Sequence, residues 1–151
     1  MRLTSHTDYS LRTLIYLGVS PDRLTPVGEV AEAYGLSKNH LMKVANHLAA
    51  GGYVEAVRGN RGGIRLARAP DDINIGAVVR HTETDMNLVE CFCPAERGGC
   101  RIESGCLLRA ALRSALRAFL GVLDGYSLAS LLQSRPLLEE LLGIPIGQQK
   151  A

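Results

Sequence analysis

The sequence lacks any long apolar run, since no uncharged stretch approaches the roughly 18 residues that a membrane-spanning helix needs. Its start, MRLTSHTDYS, lacks the apolar core of a signal peptide and the composition of a transit peptide. We therefore expect no membrane partner and a cytoplasmic location. Nucleophile elbows, phosphate-binding loops and HExxH patterns are also missing from the sequence, so we expect no enzymatic activity.

Cysteine is scarce, and the four cysteines of the 151 residues all lie between Cys91 and Cys106. The segment CFCPAERGGCRIESGC contains one proline and three glycines, so it is a loop that cannot bury much apolar surface. Cytoplasmic thiols stay reduced, which favours a metal over disulfides. Because ligation of a soft metal by thiolates supplies ordering energy that packing does not, the loop predicts a metal centre.

The spacing of the cysteines bears on which metal is bound. Eight residues separate Cys91 from Cys100, five separate Cys100 from Cys106, and Cys93 is an additional thiol. Structural zinc sites use paired knuckles with roughly two to four residues between ligands, and none of these spacings is C-x2-C. Wide spacing in a loop suits an iron–sulfur cluster better. A structural zinc site and a group of redox thiols without metal remain the alternatives.

Charge is unevenly distributed along the chain. Residues 1–68 carry nine Lys and Arg against five Asp and Glu, a net +4, whereas residues 69–151 carry eight against ten, a net −2. The first part therefore suits a polyanionic partner, and the second part is expected to have another task.

Apolar residues at helical spacing predict three helices in this first part. The first helix is expected from about Asp8 to Val19, with Ser5 and Asp8 forming a capping box. Thr25 as a cap and Pro26 at the first helical position start the second helix. Gly35 makes a tight turn to a third helix capped by Ser37. The outer face of this third helix is polar, and its candidate DNA contacts are Lys38, Asn39, His40 and Lys43.

The stretch YVEAVRGNRGGIRLA, residues 53–67, predicts a β-hairpin with a basic tip. Three helices and a basic hairpin form a winged helix-turn-helix, whose wing reaches the DNA backbone or minor groove. A solvated helix face and a purely structural hairpin are the alternative, and the two features together favour binding of double-stranded DNA. The candidate DNA contacts on the wing are Arg58, Asn60, Arg61 and Arg65.

The rest of the chain predicts a short helix capped by Asn74, a long helix from Leu107 to Asp124, and a short helix over residues 127–133 stopped by Arg135 and Pro136. We interpret the long helix as a dimerisation element, with packing on its own domain as the alternative. Arg109, Arg113 and Arg117 are placed opposite its apolar stripe of Leu108, Ala111, Leu112, Ala115, Phe119, Val122 and Leu123.

The expected fold class is mainly α with a small β-hairpin wing. A winged helix-turn-helix is expected over residues 1–69, and a connecting helix with the cysteine-rich cluster-binding loop over 70–106. The dimerisation helix and a C-terminal helix follow over 107–142, and a disordered tail over 143–151. A twofold dimer would place two recognition helices on an inverted-repeat operator.

The chain contains the segments LTSHTDYSLRTLIYL, YGLSKNHLMKVANHL, YVEAVRGNRGGIRLA, and LVECF followed by CRIESGCLLRAAL. Together, these segments resemble the Rrf-type winged-helix transcription regulators, in particular the branch that senses nitric oxide. The resemblance covers nearly the whole chain and implies a homodimeric DNA-binding repressor. Its operator binding would be controlled by an iron–sulfur cluster that nitric oxide attacks.

The resemblance also implies a ligand set of Cys91, Cys100 and Cys106, with Asp8 as the fourth ligand from the other subunit. Cys93 has no counterpart in the pattern. A related branch has a histidine ligand three residues after its last cysteine, where this chain has Arg109, which cannot bind iron. We expect a 4Fe–4S rather than a 2Fe–2S cluster. A thiol or iron–sulfur regulator of the same fold that answers to redox or iron status is the alternative function.

Overall fold

The computed structural model describes residues 2–59, 61–93 and 100–144. Short 3-10 turns at Pro70–Asp72, Glu90–Phe92 and Glu103–Gly105 connect the main elements. The architecture is mainly α with one small hairpin, which confirms the expected fold class. In chain order the helices and strands are α1 Ser5–Val19, α2 Val27–Tyr34, α3 Lys38–Ala50, β1 Val54–Val57, β2 Gly63–Leu66, α4 Ile75–Thr82, α5 Leu107–Asp124, α6 Leu128–Leu131 and α7 Arg135–Leu141.

Helices α2 and α3 form the helix-turn-helix, and the turn between them depends on Gly35. This glycine has φ 62°, in the left-handed region that favours a residue without Cβ. Its N–H donates to the carbonyls at the end of α2, and α3 then begins at Lys38. The inner face of α3 is buried as expected, at Leu41, Val44, Ala45 and Leu48. Its opposite face therefore points away from the protein core.

The hairpin is antiparallel, with Val54 opposite Leu66 and Val57 opposite Gly63. Thr25 joins it as an isolated bridge partner of Ile64, with backbone hydrogen bonds of 2.9 and 2.8 Å. A Cβ on Gly63 would lie only 2.5 Å from the Thr25 carbonyl oxygen, so glycine is required at this close approach. The bridge attaches the wing to the segment that precedes α2.

The helix starts differ from the expectations in three places. Helix α1 begins at Ser5 instead of Asp8, and its cap is Thr4, whose hydroxyl accepts from the Thr7 N–H at 3.3 Å. The expected Ser5–Asp8 capping box is therefore wrong. Thr25 does not cap α2, because its backbone pairs with the hairpin and Pro26 takes the cap position. Ser37 does occupy the cap position of α3, but its side chain makes no capping hydrogen bond.

Helix α4 connects the winged helix to α5. Asn74 caps α4 as expected, accepting from the Ala77 N–H at 2.9 Å, and its amide donates to the Asp124 carbonyl at 2.7 Å. Arg80 donates both terminal nitrogens to the Asp124 carboxylate at 2.6 and 2.7 Å. These bonds tie the start and the last turn of α4 to the C-terminal end of α5.

The expected single apolar stripe of α5 is divided between two faces. Leu112, Phe119 and Leu123 are half-buried, and Leu123 packs against the core. The remaining stripe residues are exposed: Leu108, Ala111, Ala115 and Val122. Arg109 is half-buried, which corrects the expectation that it lies on the outer face with Arg113 and Arg117. The difference arises because the cysteine segment and α4 cover part of the helix.

Two expectations for the C-terminal end are corrected. Arg135 and Pro136 do not end the last helix of the chain but begin a further helix, α7. The proline lies in the first turn of α7, where the backbone N–H that it lacks would have no partner within the helix. Ile144 is buried in the core, so the chain remains packed beyond the start of the expected tail at residue 143. The remainder of that tail, residues 145–151, lies outside the described residues. Within the described ranges, no helix has the length and apolarity to cross a bilayer.

Candidate DNA-binding face and cysteine centre

The outer face of α3 carries four exposed polar side chains at its start, namely Lys38, Asn39, His40 and Lys43. Within the described ranges, neither Lys38 nor Lys43 forms an ion pair, and the His40 ring lies 6.5 Å from that of Tyr9. Side chains at the start of a recognition helix are those that reach base edges in the major groove. The structure therefore places all four predicted helix contacts where DNA could reach them.

The arginines of the wing fall into two groups. Arg58 and Arg61 at the tip are exposed and form no ion pair within the described part of the chain, whereas Arg65 pairs with Glu55 at 2.8 Å. Arg68 donates to the Gly51 carbonyl at 2.9 Å. Asn60, the other predicted tip contact, lies outside the described residues. Only the tip arginines are thus available for phosphates without breaking an existing contact.

A groove of about 420 Å³ separates the recognition helix from the wing. Lys38, Met42 and Asn46 line it on the helix side, and Val57 and Arg58 line it on the hairpin side. Cations therefore stand on both sides of one groove. This arrangement suits a polyanionic backbone that follows the surface from α3 to the wing.

The cysteines lie on the segment that leads into α5. Cys91 is in the 3-10 turn Glu90–Phe92, Cys106 is the residue before α5, and Cys93 and Cys100 border residues 94–99, which are outside the described residues. All four are free thiols, with Cys100 exposed and the others half-buried. Within the described ranges of one protomer, no three Cys, His, Asp or Glu side chains come together as a metal site.

Both limbs of the cysteine segment are attached to the same face of α5. On one limb, the Arg113 guanidinium lies 5.5 Å from the ring centre of Phe92, the neighbour of Cys91. On the other limb, Arg109 donates to the Glu103 carboxylate at 2.8 Å. The two arginines are four residues apart and therefore share one helix face. Their spacing in the sequence indicates a shared face opposite the apolar stripe, but it does not indicate the contacts with Glu103 and Phe92.

Asp8 lies in the first turn of α1, and its side chain is 45% exposed. Its carboxylate accepts from Arg12 Nε at 2.9 Å. Just before it, the Thr4 N–H donates to the Glu83 carboxylate at 2.7 Å and so fixes the start of α1 to the end of α4. The described residues of one protomer do not bring Asp8 into a group with the cysteines.

A row of three histidines joins α1, α3 and α4, and no pattern in the sequence predicts it. His6 Nε2 lies 2.7 Å from His47 Nδ1, and His81 Nε2 donates to the His47 carbonyl at 3.0 Å. The His47 and His81 rings are 4.5 Å apart. Burial, and then the nearby His81 and His6, lower the pKa of His47. The neutral form of His47 is therefore favoured behind the recognition helix.

Comparison with known proteins gives consistent matches over most of the chain. Residues 3–134 match the sequence model of the Rrf2 family, described as an iron-dependent transcriptional regulator. The HTH-type transcriptional regulator NsrR of Bacillus subtilis is 50% identical over 143 residues, which cover 94% of this chain and 97% of that protein. The protein of the same name from Bacillus licheniformis is 48% identical over 143 residues, covering 94% and 99%.

Among solved structures, CymR, the global cysteine regulator of B. subtilis, matches with a TM-score of 0.65 at 25% identity. The match covers 89% of this chain and 98% of CymR. The match therefore extends over most of the fold, although the sequence of CymR is much more distant from this chain than those of the two Bacillus NsrR proteins.

Proposed function

Because this chain belongs to the Rrf2 family of transcriptional regulators, we propose that it is a cytoplasmic, non-enzymatic repressor that releases its operator DNA in response to nitric oxide. One observation carries the proposal: exposed cations of α3 and the wing tip, without ion pairs among the described residues, occur in the same chain as a segment of four free thiols. The basic face supplies affinity for DNA, and the thiol segment supplies the place for a sensing group.

We assign the sensing group as an iron–sulfur cluster of the 4Fe–4S type, held by Cys91, Cys100 and Cys106. The donor set fits, because free thiolates are the soft ligands that such clusters use. When bound, the cluster supplies iron that reacts with nitric oxide. The residues of the chain place three thiols on a segment anchored to α5, and they leave Cys93 as an additional thiol.

The partner subunit's Asp8 is the proposed fourth ligand. Thr4 and not Asp8 forms the cap of α1, so capping does not account for the acid at this position. The Asp8–Arg12 pair is about half exposed at both partners and so contributes at most about 1 kcal/mol. The carboxylate can therefore leave Arg12 at little cost. Such a ligand would tie the winged helix of one subunit to the cysteine segment of the other.

Helix α5 is proposed to form the homodimer. None of its residues is buried in the protomer, and Leu107, Leu108 and Val122 are 84, 64 and 63% exposed. Apolar side chains exposed together on one helix mark an interface. A twofold dimer sets two recognition helices on an inverted repeat, with half-sites centred about 34 Å or a multiple of it apart. Light scattering that finds a monomer at micromolar concentration would contradict this assembly.

Anaerobic purification followed by absorption and Mössbauer spectroscopy tests the function directly. We expect a brown protein whose iron signature changes with stoichiometric nitric oxide, and operator affinity that falls about 5- to 150-fold in the same sample. A colourless protein with bound zinc would favour the structural zinc alternative. An iron–sulfur protein whose operator affinity ignores nitric oxide would instead be a regulator with a different signal.

Replacement of Asp8 by asparagine tests the fourth ligand separately. We expect Asp8→Asn to alter the iron–sulfur spectrum and to weaken operator binding before any nitric oxide is added, because the tie between subunits is lost. Asp22→Asn is the matched control, since Asp22 is an exposed acid in the turn after α1. Wild-type spectrum and affinity in the Asp8 variant would exclude the residue as a ligand.

A further inference from the structure

Arg109 is the only half-buried arginine of α5. It lies three residues after Cys106, in the first turn of α5, and its side chain is only 21% exposed. Its terminal nitrogen donates to Glu103 at 2.8 Å, but its Nε is buried and has no hydrogen-bond partner within the described part of the chain. Buried donors are nearly always paired in native proteins, so this Nε–H calls for an acceptor.

The neighbouring backbone fixes where such an acceptor could be. Glu103 donates its N–H to the Cys100 carbonyl at 3.1 Å, and its own carbonyl accepts from the Cys106 N–H at 3.4 Å. Glu103 is therefore bonded through the backbone to two predicted ligands and through its side chain to Arg109. The guanidinium is held next to the segment that carries Cys100 and Cys106.

The chemistry of the guanidinium limits which groups can accept a hydrogen bond from Arg109 Nε. Arginine is always protonated and offers donors only, so its partner must be an acceptor and is preferably an anion. The rigid fork of its nitrogens allows one of them to donate to Glu103 while Nε donates elsewhere. Thiolates and cluster sulfides are anionic acceptors, and hydrogen bonds to such sulfurs tune reduction potentials.

We propose that Arg109, held by Glu103, donates its Nε–H to a sulfur of the bound cluster or of its cysteine ligands. This inference rests on the proposed function, because it requires the cluster. In this role, Arg109 does not bind iron but stabilises the cluster sulfurs and the ligand thiolates by a hydrogen bond. The donor favours added negative charge, so it should raise the reduction potential and slow the loss of iron.

Arg109→Lys and Arg109→Gln, made in the full-length protein and purified anaerobically, test the proposal. Lysine keeps the positive charge but has no Nε–H in a fixed fork, and glutamine removes the charge as well. We expect both variants to lose iron to a chelator about 10- to 100-fold faster than the wild type. Both should also have a more negative reduction potential. Arg117→Gln, two helical turns further along at an exposed position, is the matched control and should behave as the wild type.

Thermal unfolding of the iron-free proteins separates this role from simple packing. If Arg109 acts on the sulfurs, the iron-free variants unfold at the wild-type temperature while the potential and the iron loss change. An iron-free protein that unfolds earlier, with an unchanged potential once loaded, would show a purely structural role and overturn the proposal.

The outcome also distinguishes this proposal from the proposed function. A wild-type protein that holds no iron–sulfur cluster overturns both. A wild-type protein that holds one, with variants equal to it in potential and iron retention, overturns only the role of Arg109.

Discussion

The winged helix and helix α5 differ in how much of their apolar surface is buried within the protomer. Leu17, Leu41 and Leu48 of the winged helix are at most 2% exposed, and they share a core with the hairpin residue Ile64. Helix α5, with 18 residues the longest of the described helices, contributes no buried residue at all. The winged helix therefore lies in a closed core of the protomer, to which α4 and α6 also contribute. Helix α5 exposes apolar surface that a second subunit would cover.

Arginines serve different purposes in the two regions. At the wing tip, Arg58 and Arg61 make no ion pair among the described residues and face solvent. Beside the cysteine segment, Arg109 and Arg113 are held by Glu103 and Phe92. Exposed cations without ion pairs suit a partner that binds reversibly, whereas cations held by other side chains fix the position of a loop. The contrast agrees with the proposal that one surface binds DNA and that the other holds a cysteine centre.

The sharpest test of this contrast is to remove the thiols one at a time. Cys91→Ser, Cys100→Ser and Cys106→Ser should each abolish the chromophore, because a hydroxyl is a poor replacement for a soft thiolate. Cys93→Ser should keep it. Thermal unfolding of the iron-free proteins should remain unchanged, since the winged-helix core does not include these residues. Loss of colour with Cys93→Ser and its retention with Cys91→Ser would reverse the assignment of the first ligand.

Two leucine substitutions compare the packing of the regions. Leu17→Ala should lower the free energy of unfolding by about 2 to 5 kcal/mol, because it leaves a cavity in a closed core. Leu108→Ala should cost at most about 0.5 kcal/mol in the isolated protomer, because the side chain is already exposed. Urea denaturation measures both, at protein concentrations low enough to keep the protomers apart. Equal costs would mean that helix α5 is packed as firmly as the core.

Salt dependence compares two exposed cations, Lys43 on α3 and Arg61 at the wing tip, with the ion-paired Arg65. Lys43→Ala and Arg61→Ala should each weaken binding to all DNA sequences and lower the slope of log affinity against log salt by about one. Arg65→Ala is the control and should leave the slope nearly unchanged, because this arginine already pairs with Glu55. Fluorescence anisotropy over a range of salt concentrations gives the slopes. Unchanged slopes for Lys43→Ala and Arg61→Ala would remove both residues from the phosphate-binding surface.

The smallest expected effect concerns pH and the His47 contact behind the recognition helix. Burial lowers the pKa of His47 below 6.5, so the unfolded chain takes up a proton at higher pH than the folded protein. Stability should therefore fall as the pH drops below about 6.5, and His47→Gln should reduce this loss. Urea denaturation at about pH 7.5 and pH 5.5 measures it. An equally steep loss in the variant would show that other groups are responsible.

The sequence by itself determined the elements that depend on local patterns. Helical spacing of apolar residues gave the inner face of α3 and both ends of α5, and Gly35 gave the turn between α2 and α3. The clustering of the cysteines marked the segment of the predicted centre. These features follow from side-chain periodicity, backbone freedom and donor chemistry, which act within a few residues of chain.

Only the tertiary structure decided which residues form hydrogen bonds or ion pairs with residues distant in the sequence. Thr25 does not cap α2 because the hairpin engages its backbone, and Arg65 is paired where Arg61 is not. Arg109 is half-buried because Glu103 and the cysteine segment cover it. The contact of His6 with His47 joins residues 41 positions apart. Such contacts arise because whole helices and strands pack against each other, and local patterns in the sequence do not predict them.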